Sequence, residues 1–308
     1  MKERLFLMWA ARKQSAPLPP EPEVHDAWEE GTTMLAPRCS ISADITEEGL
    51  AVCAGGEPAG GGRSTANELY DCTLKTWTAK APMSPATTYG RGIVLNGVYH
   101  YVGGRAGLPT KAHHTYSVDD NVWGTKASLS SFRINAVAAV WDGKIHVVGG
   151  YDGNTTTLKT AEVYDPTTDT WSAGASMVYT RTQAGAAVLD GKLHVFGGYV
   201  YSGTNRKSHE AYDFTEGEWA TKAALETAKR NIVGAAGEGK VYAIAGQTTA
   251  IIAVVEAYDP VTDTWSAKTS IPVATSLNGC TAPSFQKKCY VFGGYGSDYL
   301  DTVQVYIP

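Results

Sequence analysis

Short apolar runs, each closed by glycine, recur along this chain at a nearly fixed interval. Glycine pairs follow such runs at Gly55-Gly56, Gly103-Gly104, Gly149-Gly150, Gly197-Gly198 and Gly293-Gly294, with Ala245-Gly246 in the remaining place, so successive pairs lie 46 to 48 residues apart. In phase with them, Tyr70, Tyr116, Tyr164, Tyr212 and Tyr258 are each followed seven residues later by Trp77, Trp123, Trp171, Trp219 and Trp265. Apolar runs this short, bounded by turn residues, read as strands rather than helices. Asp142-Gly143 and Asp190-Gly191 accept positive φ and predict two-residue hairpins between a first and a second strand. Asp165-Pro166 and Asp259-Pro260 suit the first positions of a type I turn between a third and a fourth. Each period thus yields a four-stranded sheet too small to bury both faces alone, and radial packing of such sheets makes a propeller. The expected fold class is all-β, a six-bladed β-propeller of four-stranded antiparallel blades.

The last repeat offers a first strand near Gly279 to Phe285, a second at Lys288 to Gly294 and a third at Thr302 to Pro308, but no fourth. At the other end, Met34 follows Trp28 by six residues, as Met83 follows Trp77 and Met177 follows Trp171. Residues 25–34 are therefore predicted to form the outer strand of the sixth blade, closing an edge that would otherwise template aggregation. The propeller domain spans residues 25–308. Residues 1–24, with the proline-rich stretch Ala16 to Pro22, read as an N-terminal extension and extended linker. Lys80, Lys126, Lys222 and Lys268, three residues after their tryptophans, suit outer strands protected from pairing.

The run Ala136 to Gly150, followed by Glu162-Val163-Tyr164-Asp165-Pro166-Thr167-Thr168-Asp169-Thr170-Trp171, resembles the kelch repeat. That repeat carries an apolar strand, a tight turn, a second strand ending in Gly-Gly, then Tyr-Asp and Trp. The resemblance covers nearly everything from His25 to Pro308 and is far more specific for fold than for function. Kelch-like adaptor proteins usually carry a BTB domain ahead of the propeller. Residues 1–24 could not form one, so ligase recruitment is not expected.

Composition narrows the function classes. A hydrophobic fraction of 43% with 33 glycines and 17 tyrosines suits a strand-rich globular domain. A formal net charge of −5 argues against nucleic acid as a partner, since nonspecific binding relies on cations that release phosphate counterions. No apolar run approaches the roughly 20 residues that span a bilayer, so no membrane partner is expected. Cys39, Cys53, Cys72, Cys280 and Cys289 show no zinc-site spacing and read as reduced core thiols, which makes a cytoplasmic location the expectation. No cofactor and no metal are expected. His100, His146 and His194 each fall three residues before a Gly-Gly, in separate blades, and read as core residues. His113-His114 is placed on the loop face, within reach of a ligand.

Strand alternation puts the second-to-third connections on the same face as the fourth-to-first connections. On that face a basic residue follows almost every tryptophan: Arg38, Arg91, Arg133, Arg181 and the pair Lys229-Arg230, with Leu277 in the sixth blade and Arg91 about four residues deeper than the others. Two readings stand for these cations. They gather at the channel mouth and receive carboxylates, which arginine binds bidentately, or they bridge blades by hydrogen bonding to carbonyls and acids. Resemblance to kelch adaptors, whose arginines at similar positions bind acidic peptides, implies the first. Tyr89, Asn135, Gln183 and Asn231 occupy matching places slightly further on. Tyr151, Tyr199, Tyr201, Arg206 and Tyr295 supply aromatic and cationic anchors from the loops.

The function expected is a protein-protein interaction module binding an acidic or polar segment of a partner at the arginine-lined mouth. Two alternatives stay open: an enzyme acting on an acidic sugar, as in the sialic-acid epimerases among kelch propellers, and a structural component of a larger assembly. With no GxSxG, HExxH or P-loop, no residue is assigned a catalytic role.

Overall fold

A computed structural model of the chain describes residues 25–276 and 284–308. The expected extension over residues 1–24, together with Leu277, Gly279 and Cys280, lies outside the described residues. Six antiparallel four-stranded sheets surround an axis. From the inside outward, blade 1 is Ser42–Ile45, Leu50–Ala54, Asn67–Asp71 and Thr76–Ala79. Blade 2 is Arg91–Leu95, Val98–Val102, His113–Ser117 and Val122–Lys126, and blade 3 is Val137–Trp141, Lys144–Val148, Ala161–Asp165 and Thr170–Gly174. Blade 4 is Gly185–Leu189, Lys192–Phe196, His209–Asp213 and Glu218–Lys222. Blade 5 is Val233–Gly237, Lys240–Ile244, Val255–Asp259 and Thr264–Lys268.

Blade 6 combines the two ends of the chain: Ser284–Phe285, Lys288–Tyr295 and Tyr299–Ile307 are completed by Ala27–Glu30, which pairs antiparallel with Trp28 opposite Tyr306. The ring is therefore closed as the sequence predicts. The predicted hairpins form too, with Asp142 at φ 47° and Gly143 at 66°, Asp190 at 47° and Gly191 at 70°; two positive φ values match the right-handed twist of the strands they join.

The Tyr-Trp pattern is the device that fastens one blade to the next. Each tryptophan of the repeat packs on a tyrosine of its own blade and donates its indole N–H to a carbonyl of the preceding one: Trp123 to Ala81 at 2.8 Å, Trp171 to Ala127 at 2.8 Å, Trp219 to Ala175 at 3.0 Å and Trp265 to Ala223 at 2.8 Å. Trp77 reaches Thr32 at 2.7 Å, and Trp28 closes the ring on Thr269 at 3.0 Å. A turn side chain adds a second stitch. Asp169 accepts both Tyr164 Oη, at 2.8 Å, and the Ala127 amide, at 3.0 Å. Asp26 does the same with Tyr306, at 2.7 Å, and Thr269, at 2.9 Å, so the N-terminal strand restores the bonds an uninterrupted sixth repeat would have made.

At the axis the inner strands converge, and small residues such as Gly92, Ala138, Ala186 and Gly234 border a channel of about 280 Å³. A Cβ on Gly234 would lie 2.2 Å from the Ala186 carbonyl oxygen, so only glycine permits that approach. Asp44 also borders the channel, accepting the Val94 amide at 2.7 Å, and burial pushes its carboxyl up to about 6. Cys39, Cys53, Cys72 and Cys289 are buried.

His113 and His114 correct an expectation. They are the first residues of a third strand, not loop residues, and His113 is buried against His100 at 2.8 Å. His194 and His209 repeat the pair in blade 4 at 2.9 Å.

Candidate binding face

The glycine pairs define the true register of the connections that cross from one blade to the next. The second glycine donates its amide to the following crossing: Gly56 to Thr87 at 3.0 Å, Gly104 to Arg133 at 2.8 Å, Gly150 to Arg181 at 2.9 Å, Gly198 to Lys229 at 2.9 Å and Gly246 to Thr275 at 3.1 Å. A Cβ on Gly103 would meet the Arg133 carbonyl oxygen at 2.4 Å, which explains why the pair is glycine. Equivalent positions are therefore Arg38, Thr87, Arg133, Arg181, Lys229 and Thr275. Arg91 is not among them. It lies inside the first strand of blade 2, with Nε donating to the Ala136 carbonyl at 3.1 Å. Arg230 is one residue past the shared position, and Thr275 rather than Leu277 fills it in blade 6.

The four cations at that position turn into the blades, not toward the mouth. Arg38, Arg133, Arg181 and Lys229 are at most 2% exposed. Each meets a glutamate near the start of its own blade's third strand: Glu68 at 3.1 Å, Glu162 at 3.0 Å, Glu210 at 2.6 Å and Glu256 at 2.8 Å. Arg133 also donates to the Gly149 and Thr160 carbonyls, both at 2.8 Å, and Arg181 repeats this with Gly197 at 2.9 Å and Ser208 at 2.8 Å. The glutamates in turn accept amides of the crossing, Glu162 from Ser130 at 2.6 Å and Glu210 from Val178 at 2.6 Å. Burial pulls the Arg133, Arg181 and Lys229 cations below their ordinary pKa, and the facing glutamates pull them back. A buried cation facing its own glutamate holds the crossing in place and leaves no charge for a partner. The expected ring of guanidinium groups at the mouth is thus an internal set of struts, the second of the two readings given above, acting within each blade.

A signal in the sequence marks this. Glu68, Glu162, Glu210 and Glu256 each stand two residues before the repeat tyrosine. In blade 2 the same place holds His114 and in blade 6 Gln304, and the two blades lacking the acid also lack the cation, having Thr87 and Thr275. Gln304 still caps the crossing, accepting the Val273 amide at 2.8 Å.

What does face the mouth is polar and aromatic. Tyr89, Asn135, Gln183 and Asn231 have positive φ, between 51° and 61°, and form a backbone chain from blade to blade. The Asn135 amide donates to Tyr89 at 2.8 Å, Gln183 to Asn135 at 3.1 Å and Asn231 to Gln183 at 2.8 Å. Asn231 also donates from its side chain to Gln247 at 3.2 Å and Ser276 at 3.0 Å. Asparagine tolerates this left-handed backbone well, so Asn135 and Asn231 are explained by the turn itself.

Around this floor stand the loop residues. In blades 3 to 5, Tyr151 stacks on Tyr201 at 4.5 Å, and the Arg230 guanidinium lies 4.7 Å from the centre of the Tyr199 ring. Asn205 accepts from Arg230 at 3.3 Å. Arg206 donates Nε to the Thr180 carbonyl at 2.8 Å and lies over Tyr179 at 5.4 Å. Arg105 is exposed, its Nε donating to the Gly107 carbonyl at 3.0 Å. Across the ring, Tyr295 stands edge-on to Tyr299 at 5.3 Å, beside Glu57. Sequence reasoning singled out Arg230, Tyr151, Tyr199 and Tyr295 but missed Glu57, Arg105 and Tyr299. Glu57, Arg105 and Tyr295 share the place directly after a glycine pair, with Tyr151, Tyr199 and Gln247 in the other blades, so the repeat itself marks that row.

Fold and site together define a closed six-bladed propeller with a polar, aromatic-rimmed mouth. The Kelch motif matches residues 133–178, 180–225, 229–271 and 276–308, more than half of the chain, and the chain belongs to the kelch-repeat family. Kelch repeat protein M-T8 of Myxoma virus is 33% identical over 75 residues, 24% of this chain and 15% of that protein. Kelch-like protein 25 of Xenopus tropicalis is 28% identical over 149 residues, 47% of this chain and 25% of that protein. Kelch-like protein 24 of Homo sapiens is 32% identical over 138 residues, 44% and 22% respectively. The chain spans a quarter or less of the length of these relatives. Among solved structures, that of YjhT superimposes with a TM-score of 0.77, covering 89% of this chain and 96% of the other at 15% identity, a likeness of fold alone.

Proposed function

We propose that the chain is a protein-interaction module whose mouth and surrounding loops hold an acidic or polar segment of a partner protein. The observation that carries this reading is Arg230, spread over Tyr199 at 4.7 Å with no carboxylate partner among the described residues. A guanidinium held over a ring by cation–π attraction keeps N–H donors for a planar acid. Arg206 and Arg105 extend the same chemistry, and the Tyr151-Tyr201 stack offers rigid apolar area of the kind that anchors peptides. Panning a random-peptide display library on the purified protein is expected to enrich sequences rich in aspartate and glutamate. The Arg206→Ala, Arg230→Ala double variant should bind them at least ten-fold more weakly, and added salt should narrow that difference. Unchanged affinity in the double variant would reject the site. Turnover of an acidic sugar is the second reading, favoured by the Glu57 carboxylate as a group able to accept a proton on the same mouth as the Arg230 cation that would bind the acid, and proton NMR of such sugars with the protein would show exchange if it holds.

A further inference from the structure

We infer that Glu57 and the tyrosines around it form a subsite for a cationic side chain, a lysine or arginine of the bound segment; this rests on the binding reading above and specifies the partner's second charge. Glu57 follows Gly55-Gly56 and is fixed by backbone pairing opposite Cys39. Tyr89 donates its phenol to Oε2 at 3.0 Å, and Tyr299 donates to Oε1 at 3.0 Å. The two phenols reach it from neighbouring blades, Tyr299 from blade 6 and Tyr89 from the crossing into blade 2, so the carboxylate is aimed by both sides of the ring. Burial and the nearby carboxylate push Tyr89 up to about 12, and the bond to Glu57 pushes Tyr299 to about 12, so both stay donors at neutral pH.

Two phenols take two of the four lone-pair positions of a carboxylate and leave its charge uncancelled. Among the described residues no lysine or arginine forms an ion pair with Glu57, in contrast to Glu68, Glu162, Glu210 and Glu256. Tyr295, 41% exposed and edge-on to Tyr299 at 5.3 Å, adds an open aromatic wall. A half-buried carboxylate between aromatic rings is the chemistry that recognises an ammonium or guanidinium group. It also repels an acidic residue, so it sets register as well as affinity. The subsite occupies blades 6, 1 and 2, and the Arg230 cluster occupies blades 3 to 5. A segment lying across the mouth would place its acid on the second and its base on the first.

The display experiment, run on the wild-type protein and on Glu57→Gln, tests this. Enriched peptides should carry a lysine or arginine at a fixed distance from their acidic residues, and Glu57→Gln should enrich acidic peptides without that base. With one synthetic peptide from the selection, replacing its base by alanine should weaken binding about ten-fold, Glu57→Gln should do the same, and the two together should cost no more than either alone. Tyr299→Phe, which keeps the ring and removes one donor, should give a smaller loss. Acidic peptides without a fixed base, or a base still selected by Glu57→Gln, would overturn the subsite and leave the acidic reading intact. Basic peptides without acids, lost in Glu57→Gln, would keep the subsite and overturn the acidic reading. No enriched class would overturn both.

Discussion

Lys229 is 0% exposed and points back into blade 5, where its ammonium lies 2.8 Å from Glu256, whereas Arg230, the next residue, lies over Tyr199 at the rim and donates to Asn205, with no carboxylate partner among the described residues. The two cations share a crossing and a charge and differ in what surrounds them. Lys229 occupies the position whose carbonyl receives a glycine amide from blade 4, so its side chain is directed between the second and third strands. Arg230 belongs to the adjoining row, which pairs with the residue after the glycine pair, here Gln247. The first row builds the ring and the second faces whatever the ring binds. A cation in a repeat connection therefore has to be read with its register, because one residue decides between a strut and a contact.

The largest effect expected from this contrast is on stability. Arg181→Met leaves Glu210 buried without its cation and should cost about 3–5 kcal/mol, read by urea denaturation, while Arg230→Met should stay within about 0.5 kcal/mol. Equal effects from the two would erase the distinction between the rows.

Acidification probes the buried side more gently. Burial lowers His100 and His194 to about 4, and His113 and His209, each facing one of these, to about 3. Below the ordinary histidine value of about 6.5 the unfolded chain binds protons that the native one refuses, so stability should fall as pH drops from about 6.5 toward 4. Asp44, raised to about 6, acts the other way, since the native state holds a proton there that the unfolded chain lacks between about 4 and 6. His114 and His146 are also lowered by burial and Glu68 is raised by it, so the histidines outnumber the raised carboxyls and the net slope should be positive. His194→Tyr, which installs the residue that Tyr242 and Tyr290 provide in later blades, should remove up to about 1.4 kcal/mol per pH unit of it. Urea midpoints at several pH values measure this, and a slope unaltered by the substitution would contradict the assignment. The smallest effect belongs to the exposed row: Arg105→Ala should leave the melting temperature within about 1 °C while weakening acidic-peptide binding a few-fold.

Much of the fold was legible because each recurring residue does the same physical work in every blade. The glycine pair admits a neighbouring carbonyl, the tryptophan reaches back to the blade before it, and the spacing of Trp28 to Met34 placed the closing strand at the N-terminus. The direction of the crossing cations was not legible from their own positions. It depends on Glu68, Glu162, Glu210 and Glu256, which lie about 30 residues further along and meet them only once the sheet is formed. Separation in sequence likewise hid Glu57, whose partners Tyr89 and Tyr299 arrive from two other blades, and His113 was misplaced because the third strand of blade 2 begins at it.

Arginine footprinting with phenylglyoxal, read residue by residue by mass spectrometry on the native protein, tests the division between the two rows most directly. Arg105, Arg206 and Arg230 should be modified readily, and an acidic peptide should protect Arg206 and Arg230, while Arg38, Arg133 and Arg181 should stay unmodified until the protein is unfolded. Modification of Arg133 and Arg181 in the native protein at the rate of Arg105 would show that these cations face the mouth after all, and would contradict the account.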